Sequence, residues 1–350
     1  MRNPNWRRLV FVLLAIGLVV GSVAMFRLRG SAFQWGIFAA TMLQLDWAWL
    51  AGSLVFIYAT YLCRALRWKA LLRPLRPEAR ILPLLSATMI GFTALVLFGR
   101  PGEFVRPYLI ANKEKVPISS QLAVWLLERV YDLLVVLLLF GFALTRFDQT
   151  AMPSGQMGPA LRFVFLVGGQ VIATSCVACL AVLVLSSLYL RAFTRWVSGG
   201  LVWLPVRWQA RARSIVDSFV TGMQSTRSAA AVGITLFYTV SEWLIIIAST
   251  YCLLRSFPAT SELSWLDALI VVGFIAFGGV VQIPGVGGGT QIATTVVLVE
   301  LYGLPLEVAT GISILFWLVT FVSVVPVGLT LAAHEGLNWH KLRHLEEAAQ

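Results

Sequence analysis

Charge is what this chain of 350 residues has least of: Asp, Glu, Lys and Arg together make up 12% of it, about half the share of an ordinary soluble domain. That scarcity excludes a conventional water-facing surface, and no part of the chain reads as a soluble domain. Histidine is rarer still. The three present, His334, His340 and His344, fall in a polar tail beside Lys341 and Arg343, where they read as solvated side chains rather than metal ligands. No DxD-type acidic pair and no metal-ligand spacing occurs. The chain therefore lacks an evident nucleophile or metal for catalysis of its own, and no cofactor is expected. The four cysteines, Cys63, Cys176, Cys179 and Cys252, sit within or at the ends of apolar segments. No second ligand pair accompanies them. The C-x-x-C of Cys176 and Cys179 has no βαβ context, so it reads as small apolar residues on one helix face.

What is abundant is apolar: 59% of the residues are hydrophobic. Long apolar segments cover roughly 9–26, 45–63, 81–99, 119–145, 163–190, 229–254, 265–283 and 305–333, with shorter legs near 103–111 and 289–302. A stretch of about 20 such residues spans a bilayer as a helix, because its backbone groups find no partner in lipid except one another. The segment 9–26 follows Arg7 and Arg8 and lacks a small-x-small cleavage site, so it reads as a retained first span rather than a signal peptide. Its Gly17 and Gly21 form a GxxxG that reads as a helix-packing contact.

The net charge of +11 does not point to nucleic acid, because the basic residues lie in short loops beside apolar segments, where they set orientation and meet anionic headgroups. They also decide which segments cross. If all eight long segments did, Lys and Arg would divide almost equally between the two sides, against the positive-inside rule. If instead 81–111 and 265–302 are re-entrant hairpins, broken at Arg100-Pro101-Gly102 and at Pro284-Gly285-Val286-Gly287-Gly288-Gly289, the bias becomes strong. Arg27, Arg29, Arg146, Arg162 and Arg255 then lie outside and Arg100, Arg106 and Arg129 in the membrane, leaving the rest of the 27 basic residues inside, Arg64 and Arg67 among them in a loop over 64–80.

The expected fold is thus an all-α polytopic membrane protein with six spanning helices and two re-entrant hairpins in an inverted repeat. A single transmembrane domain covers 1–350, with a first half over 1–146 and a second over 163–333. A basic segment over 191–228, carrying six arginines and Trp196, Trp203 and Trp208, suits an amphipathic helix on the cytoplasmic leaflet. A cytoplasmic tail follows over 334–350. The order span, span, hairpin, span occurs twice with opposite starting sides. Broken elements at matching places in inverted halves mark the binding site of a transporter.

A charge at the centre of a spanning helix costs about 2.5–3.5 kcal/mol on the insertion scale, so each one present needs a partner. Glu128, Arg129 and Asp132 lie inside one apolar segment, three and four residues apart, and cluster about one side of a helix. Arg100, Glu103 and Arg106 surround the first break. The second break offers Gly285, Gly287, Gly288 and Gly289, followed by Gln291; backbone amides of such a turn at a helix start can approach an anion. It is no dinucleotide fingerprint, since no strand is expected before it. Three arginines against Glu103, Glu128 and Asp132 leave guanidinium donors for a phosphodiester. Glu242, alone in the segment 229–254 with no basic residue near it in sequence, is a candidate hydrogen-bonding or proton-carrying carboxyl.

With these motifs in view, RALRW over Arg64–Trp68, GRPGEFVR over Gly99–Arg106, ERVYD over Glu128–Asp132 and PGVGGGTQ over Pro284–Gln291, the chain resembles the flippase-like transmembrane region of the lysylphosphatidylglycerol synthase family. The likeness extends over nearly the whole chain. It implies a multi-pass protein of the bacterial inner (plasma) membrane, termini cytoplasmic, that moves aminoacylated phosphatidylglycerol or lipid-linked glycans between leaflets. Membrane phospholipids, and a lipid-modifying enzyme, are the partners it implies. Relatives carry an acidic residue where this chain has Gln291. The synthase domain of the namesake does not follow, so aminoacyl transfer is not expected. A secondary transporter of a small anion, with Glu242 or Asp132 as coupling carboxyl, and an accessory subunit of a lipid-modifying transferase are the alternatives.

Overall fold

The computed structural model describes residues 33–146, 172, 174–176, 178, 229–279, 282–285 and 287–336. The expected spans over 9–26 and most of 163–190, the basic segment 191–228 and nearly all of the tail 334–350 lie outside the described residues.

Within them the chain is helical: α1 (Trp35–Leu43), α2 (Trp47–Leu72), α3 (Ile81–Phe98), α4 (Val105–Glu114), α5 (Ile118–Arg146), α6 (Ala229–Arg255), α7 (Trp265–Gly278), α8 (Gly289–Glu300), α9 (Leu306–Trp317) and α10 (Val324–His334). Four stretches, Trp47–Leu72, Ile81–Phe98, Ala230–Arg255 and Leu306–His334, are long and apolar enough to cross a membrane. The chain is therefore an all-α, multi-pass membrane protein. With 29 residues, α5 has the length as well, but Glu128, Arg129 and Asp132 interrupt its apolar character.

Local chemistry sets the boundaries. The Asp46 carboxylate accepts from the amides of Ala48 and Trp49 and starts α2, satisfying donors that a helix start leaves open. Ser264 and Asp267 form a capping box at α7. Gly99 at φ 72° ends α3, and the following 3-10 turn over Arg100–Phe104 leads into α4. The segment expected as one span over 305–333 is helical from Leu306 to His334 and carries a π-turn at Leu318–Val322. Such turns shift side chains around a helix axis and are frequent at functional sites. Here the carbonyl of Ser323 accepts from the Tyr58 hydroxyl at 2.8 Å.

Contacts sort the helix ends into two groups. At one end Arg255 lies over the rings of Trp49 and Tyr251, and Tyr251 meets Trp265. Exposed Trp47 and Trp265 complete an aromatic rim of the kind found at membrane interfaces. At the other end Lys113 pairs with Glu335 at 2.5 Å, near the basic loop that joins α2 to α3. Between them α2 and α6 run antiparallel along much of their length, with Ser53 bonded to Ser249 at 2.9 Å and the Cys63 thiol donating to the carbonyl of Tyr238.

α3 and α4 leave the basic end and fold back on each other; α7 and α8 do the same from the aromatic end. Both reversals depend on glycine. A Cβ on Gly91 would lie 2.5 Å from Cβ of Arg106, and one on Gly102 would strike the backbone of Ala94 and Leu95. In the second hairpin a Cβ on Gly278 would lie 2.5 Å from both Cβ of Ala293 and the carbonyl oxygen of Gly289. The turn between α7 and α8 is closed by a two-residue antiparallel pair, Gln282 with Gly288 and Ile283 with Gly287, where no strand was expected. Positive φ at Gly285, Gly287 and Gly288 makes so short a reversal possible.

The two hairpin tips meet. The Gly285 amide donates to the carbonyl of Val96 at 2.9 Å, and Arg100 donates to the carbonyl of Gly279. An apolar cluster packs around each hairpin, with Trp68, Leu84 and Ile110 in the first and Ile270, Leu298 and Ile312 in the second. Gly102→Ala is expected to destabilise the protein by about 1–3 kcal/mol, the usual effect of overpacking, whereas Gly233→Ala, which meets nothing within 4 Å, should not. Thermal unfolding in detergent measures both.

Candidate functional site

The charged residues converge on one guanidinium. Arg67, on α2, is 0% exposed. Its Nη1 reaches Oδ1 of Asp132 at 2.6 Å and Oγ1 of Thr239 at 3.1 Å, while Nη2 bonds to Glu128 and lies 3.1 Å from Oε2 of Glu242. It thus ties α2 to α5 and α6. Glu128 is shared with Arg106 of α4, and the Arg106 guanidinium lies 4.3 Å from the centre of the Trp68 ring. Arg129 Nη2 lies 3.1 Å from Oδ2 of Asp132 and 3.4 Å from Oε1 of Glu128. Arg64, one turn before Arg67, places Nε 2.8 Å from Oε1 of Glu242 and lies 4.1 Å over Phe92.

This corrects the sequence analysis at its most consequential point. Arg64 and Arg67 are not loop residues; α2 continues to Leu72 and carries both into the interior. A buried charge is tolerable when it is paired and hydrogen-bonded, and here the acids come from α5 and α6. Glu242 likewise has two partners, both supplied by α2, although none is near it in sequence.

The four arginines of this cluster face three carboxylates, so one positive charge is in excess. They also differ in access. The side chains of Arg67 and Arg106 are 1% and 5% exposed, those of Arg64 and Arg129 16% and 38%. A cavity of about 240 Å³ opens on the accessible side. Arg64, Arg100, Glu103, Arg106 and Arg129 line it, whereas Glu128, Asp132 and Glu242 lie behind the arginines and do not. Glu103 is paired with Arg100. The rest of the wall is largely apolar and aromatic: Phe92 and Leu95 of α3, Trp125 of α5, Trp243 of α6, Ile275 of α7, Phe316 and Phe321.

The structure therefore brings Arg100, Glu103, Arg106, Glu128, Arg129, Asp132 and Glu242 into one assembly, with Arg64 and Arg67 added. The glycine-rich turn is placed differently. Gly285 gives its amide to Val96 and Gly288 gives its own to Oε1 of Gln291 at 2.5 Å. None of Gly285, Gly287, Gly288, Gly289 and Gln291 lines the cavity; the second hairpin contributes Val272, Ile275, Ala276, Gly279 and Thr290 instead. The turn shapes the tip, and its partners are the first hairpin and its own Gln291. A helical register through RALRW, which stacks Arg64 and Arg67 three residues apart on one face, was the available signal for the two residues missed.

Residues 12–328 match the family described as the lysylphosphatidylglycerol synthase TM region. No curated protein and no solved structure matches the chain.

Removing Arg67 leaves three carboxylates short of their common partner, and breaking a buried pair costs about 3–5 kcal/mol. Arg67→Ala should accordingly lower both the yield of membrane-inserted protein and its melting temperature, well beyond Arg129→Ala at the accessible edge. Equal melting temperatures for the two variants would show that Arg67 does not anchor the cluster.

Proposed function

Since the chain belongs to the lysylphosphatidylglycerol synthase transmembrane-region family, a family of membrane proteins connected with lipid modification and transport, we propose that it moves an anionic or modified phospholipid, or a lipid-linked glycan, between leaflets. One observation carries the proposal. The cavity between the hairpin tips has four arginines on one side and an apolar, aromatic wall on the other. A lipid has that same division: its phosphate matches the guanidiniums, whose planar forks accept phosphate oxygens, and its first methylenes match Leu95, Ile275, Phe316 and Phe321. A small soluble anion would use only the charged half.

In this reading the two hairpins are re-entrant, one entering from each side of the bilayer. The basic end faces the cytoplasm under the positive-inside rule, and both termini lie on that side of the inner membrane. The halves 1–146 and 163–333 form an inverted repeat, supported by corresponding contacts: α3 packs on α10 as α7 packs on α5, and α2 packs on α6. The hydrogen bonds between the tips, from Gly285 to Val96 and from Arg100 to Gly279, close the cavity's tip side. Their breaking and remaking would alternate access while the ion cluster stays in place. Arg129, accessible and paired only at Nη2, engages the phosphate together with Arg100 and Arg106; Glu103, Glu128 and Asp132 hold these arginines in position. No chemical step on the lipid is part of the proposal.

Reconstitution into liposomes tests it. The purified protein should move fluorescent phosphatidylglycerol or a polyprenyl-phosphate lipid across the bilayer faster than protein-free vesicles do; equal rates for every candidate lipid would refute the proposal for those lipids. Arg129→Lys keeps the charge but loses the fork. It should fold normally and transport about tenfold more slowly, as expected for one charge-assisted hydrogen bond. Wild-type transport by Arg129→Lys would remove Arg129 from the phosphate site.

A further inference from the structure

Every carboxylate of the ion cluster is already engaged by arginine. Glu128 meets Arg67, Arg106 and Arg129, Asp132 meets Arg67 and Arg129, and Glu242 meets Arg64 and Arg67. These three acids lie behind the cavity wall. Among the described residues, Glu103 is the one carboxylate that lines the cavity, against the four guanidiniums of Arg64, Arg100, Arg106 and Arg129. Glu103 is itself paired with Arg100, and within that pair the acid side chain is 11% exposed while the arginine side chain is 47% exposed. The group presented by the pair is therefore the guanidinium. An incoming anion meets donors on this wall, whereas an incoming cation finds each carboxylate of the assembly held by an arginine.

We propose that the lipid taken by this cavity carries a phosphate and no ammonium: phosphatidylglycerol or a polyprenyl phosphate is accepted, and aminoacylated phosphatidylglycerol and phosphatidylethanolamine are excluded. The proposal rests on the lipid reading of the cavity and deepens it by naming the class of headgroup. Its physical ground is desolvation. An ammonium that leaves water for a largely apolar cavity needs a carboxylate or a set of acceptors in exchange. Here it meets guanidiniums instead, and like charges repel more strongly away from water. Aromatic faces do not restore the balance. The Phe92 ring already carries Arg64, 4.1 Å from its centre, with Arg106 at 5.6 Å, and a ring face attracts a cation less than several full charges of its own sign repel it. Phosphate and amine share one short headgroup, so seating the phosphate on the arginines brings the amine to them as well.

The test is transbilayer movement in phosphatidylcholine vesicles containing the full chain, with three lipids that share one fluorescent acyl chain and differ only in headgroup: phosphatidylglycerol, phosphatidylethanolamine and lysyl-phosphatidylglycerol. Phosphatidylglycerol should cross about tenfold faster than either of the others, or more, the discrimination that a like-charge contact provides. If lysyl-phosphatidylglycerol or phosphatidylethanolamine keeps pace with it, the headgroup rule is overturned and the lipid reading stands. If none of the three moves faster than in protein-free vesicles, the rule falls together with the lipid reading for these lipids. Thr320→Glu adds a carboxylate to the cavity wall at the π-turn. In the folded variant the rate ratio of phosphatidylglycerol to lysyl-phosphatidylglycerol should drop severalfold; an unchanged ratio overturns the charge argument. Should that variant not fold, the wild-type comparison of the three lipids decides alone.

Discussion

Arg67 is the interaction on which the rest of the architecture depends. A guanidinium in the interior of a membrane protein is unfavourable by several kcal/mol unless its donors are occupied, and no residue near it in the chain can occupy them. Asp132 and Glu128 on α5, Thr239 and Glu242 on α6, engage its two Nη groups. Those helices are thereby fixed in both depth and rotation relative to α2: moving α6 by one turn along its axis would carry Glu242 and Thr239 out of reach together. Glu128, bonded to Arg67 on one side, holds Arg106 on the other and so ties the returning leg of the first hairpin to the same node. Dispersion forces alone would give these helices weaker preference, because lipid tails compete well with side chains for apolar contact.

A second consequence concerns the sign of the cavity. The carboxylates that neutralise the cluster are at the back, toward Arg67, and the more accessible guanidiniums are at the front. A ligand approaching from the cavity meets positive charge almost exclusively, although the cluster as a whole has only one charge in excess. The arginines are positioned before any ligand arrives, so little reorganisation is needed to bind an anion. Separation of charge across a few ångströms, rather than total charge, makes the cavity wall electropositive.

Apolar segment positions and the two chain breaks were legible in the sequence because each has a local cause. Roughly 20 apolar residues must form a helix in lipid, and Arg100-Pro101-Gly102 and the glycine-rich run after Pro284 stop one. The clustering of Glu128, Arg129 and Asp132 was legible for the same reason, being a matter of helical spacing. Arg64 and Arg67 were not. A basic residue at the end of an apolar run reads as a loop residue, and the acids that make its burial tolerable begin 61 positions further on, at Glu128, and extend to Glu242, in contacts that only the fold reveals. The π-turn at Leu318–Val322 escaped for a different reason: its sequence is apolar throughout, and the irregularity follows from packing against α2, where Tyr58 bonds the backbone at Ser323.

The glycine-rich turn shows how a motif can be correctly located and differently used. Its backbone does need glycine, since Gly285, Gly287 and Gly288 all have positive φ, and it does lie at the tip of a hairpin. Yet the amides of Gly285 and Gly288 serve Val96 and Gln291. In an irregular segment inside a protein every buried backbone donor needs an acceptor, and the nearest acceptors are those the turn itself brings close. The Gln291 carbonyl oxygen can fill that role without a charge. The positive charge facing the cavity is thereby concentrated in side chains of α2, the first hairpin and α5, while the second hairpin supplies shape and the backbone contacts through which the two tips hold each other.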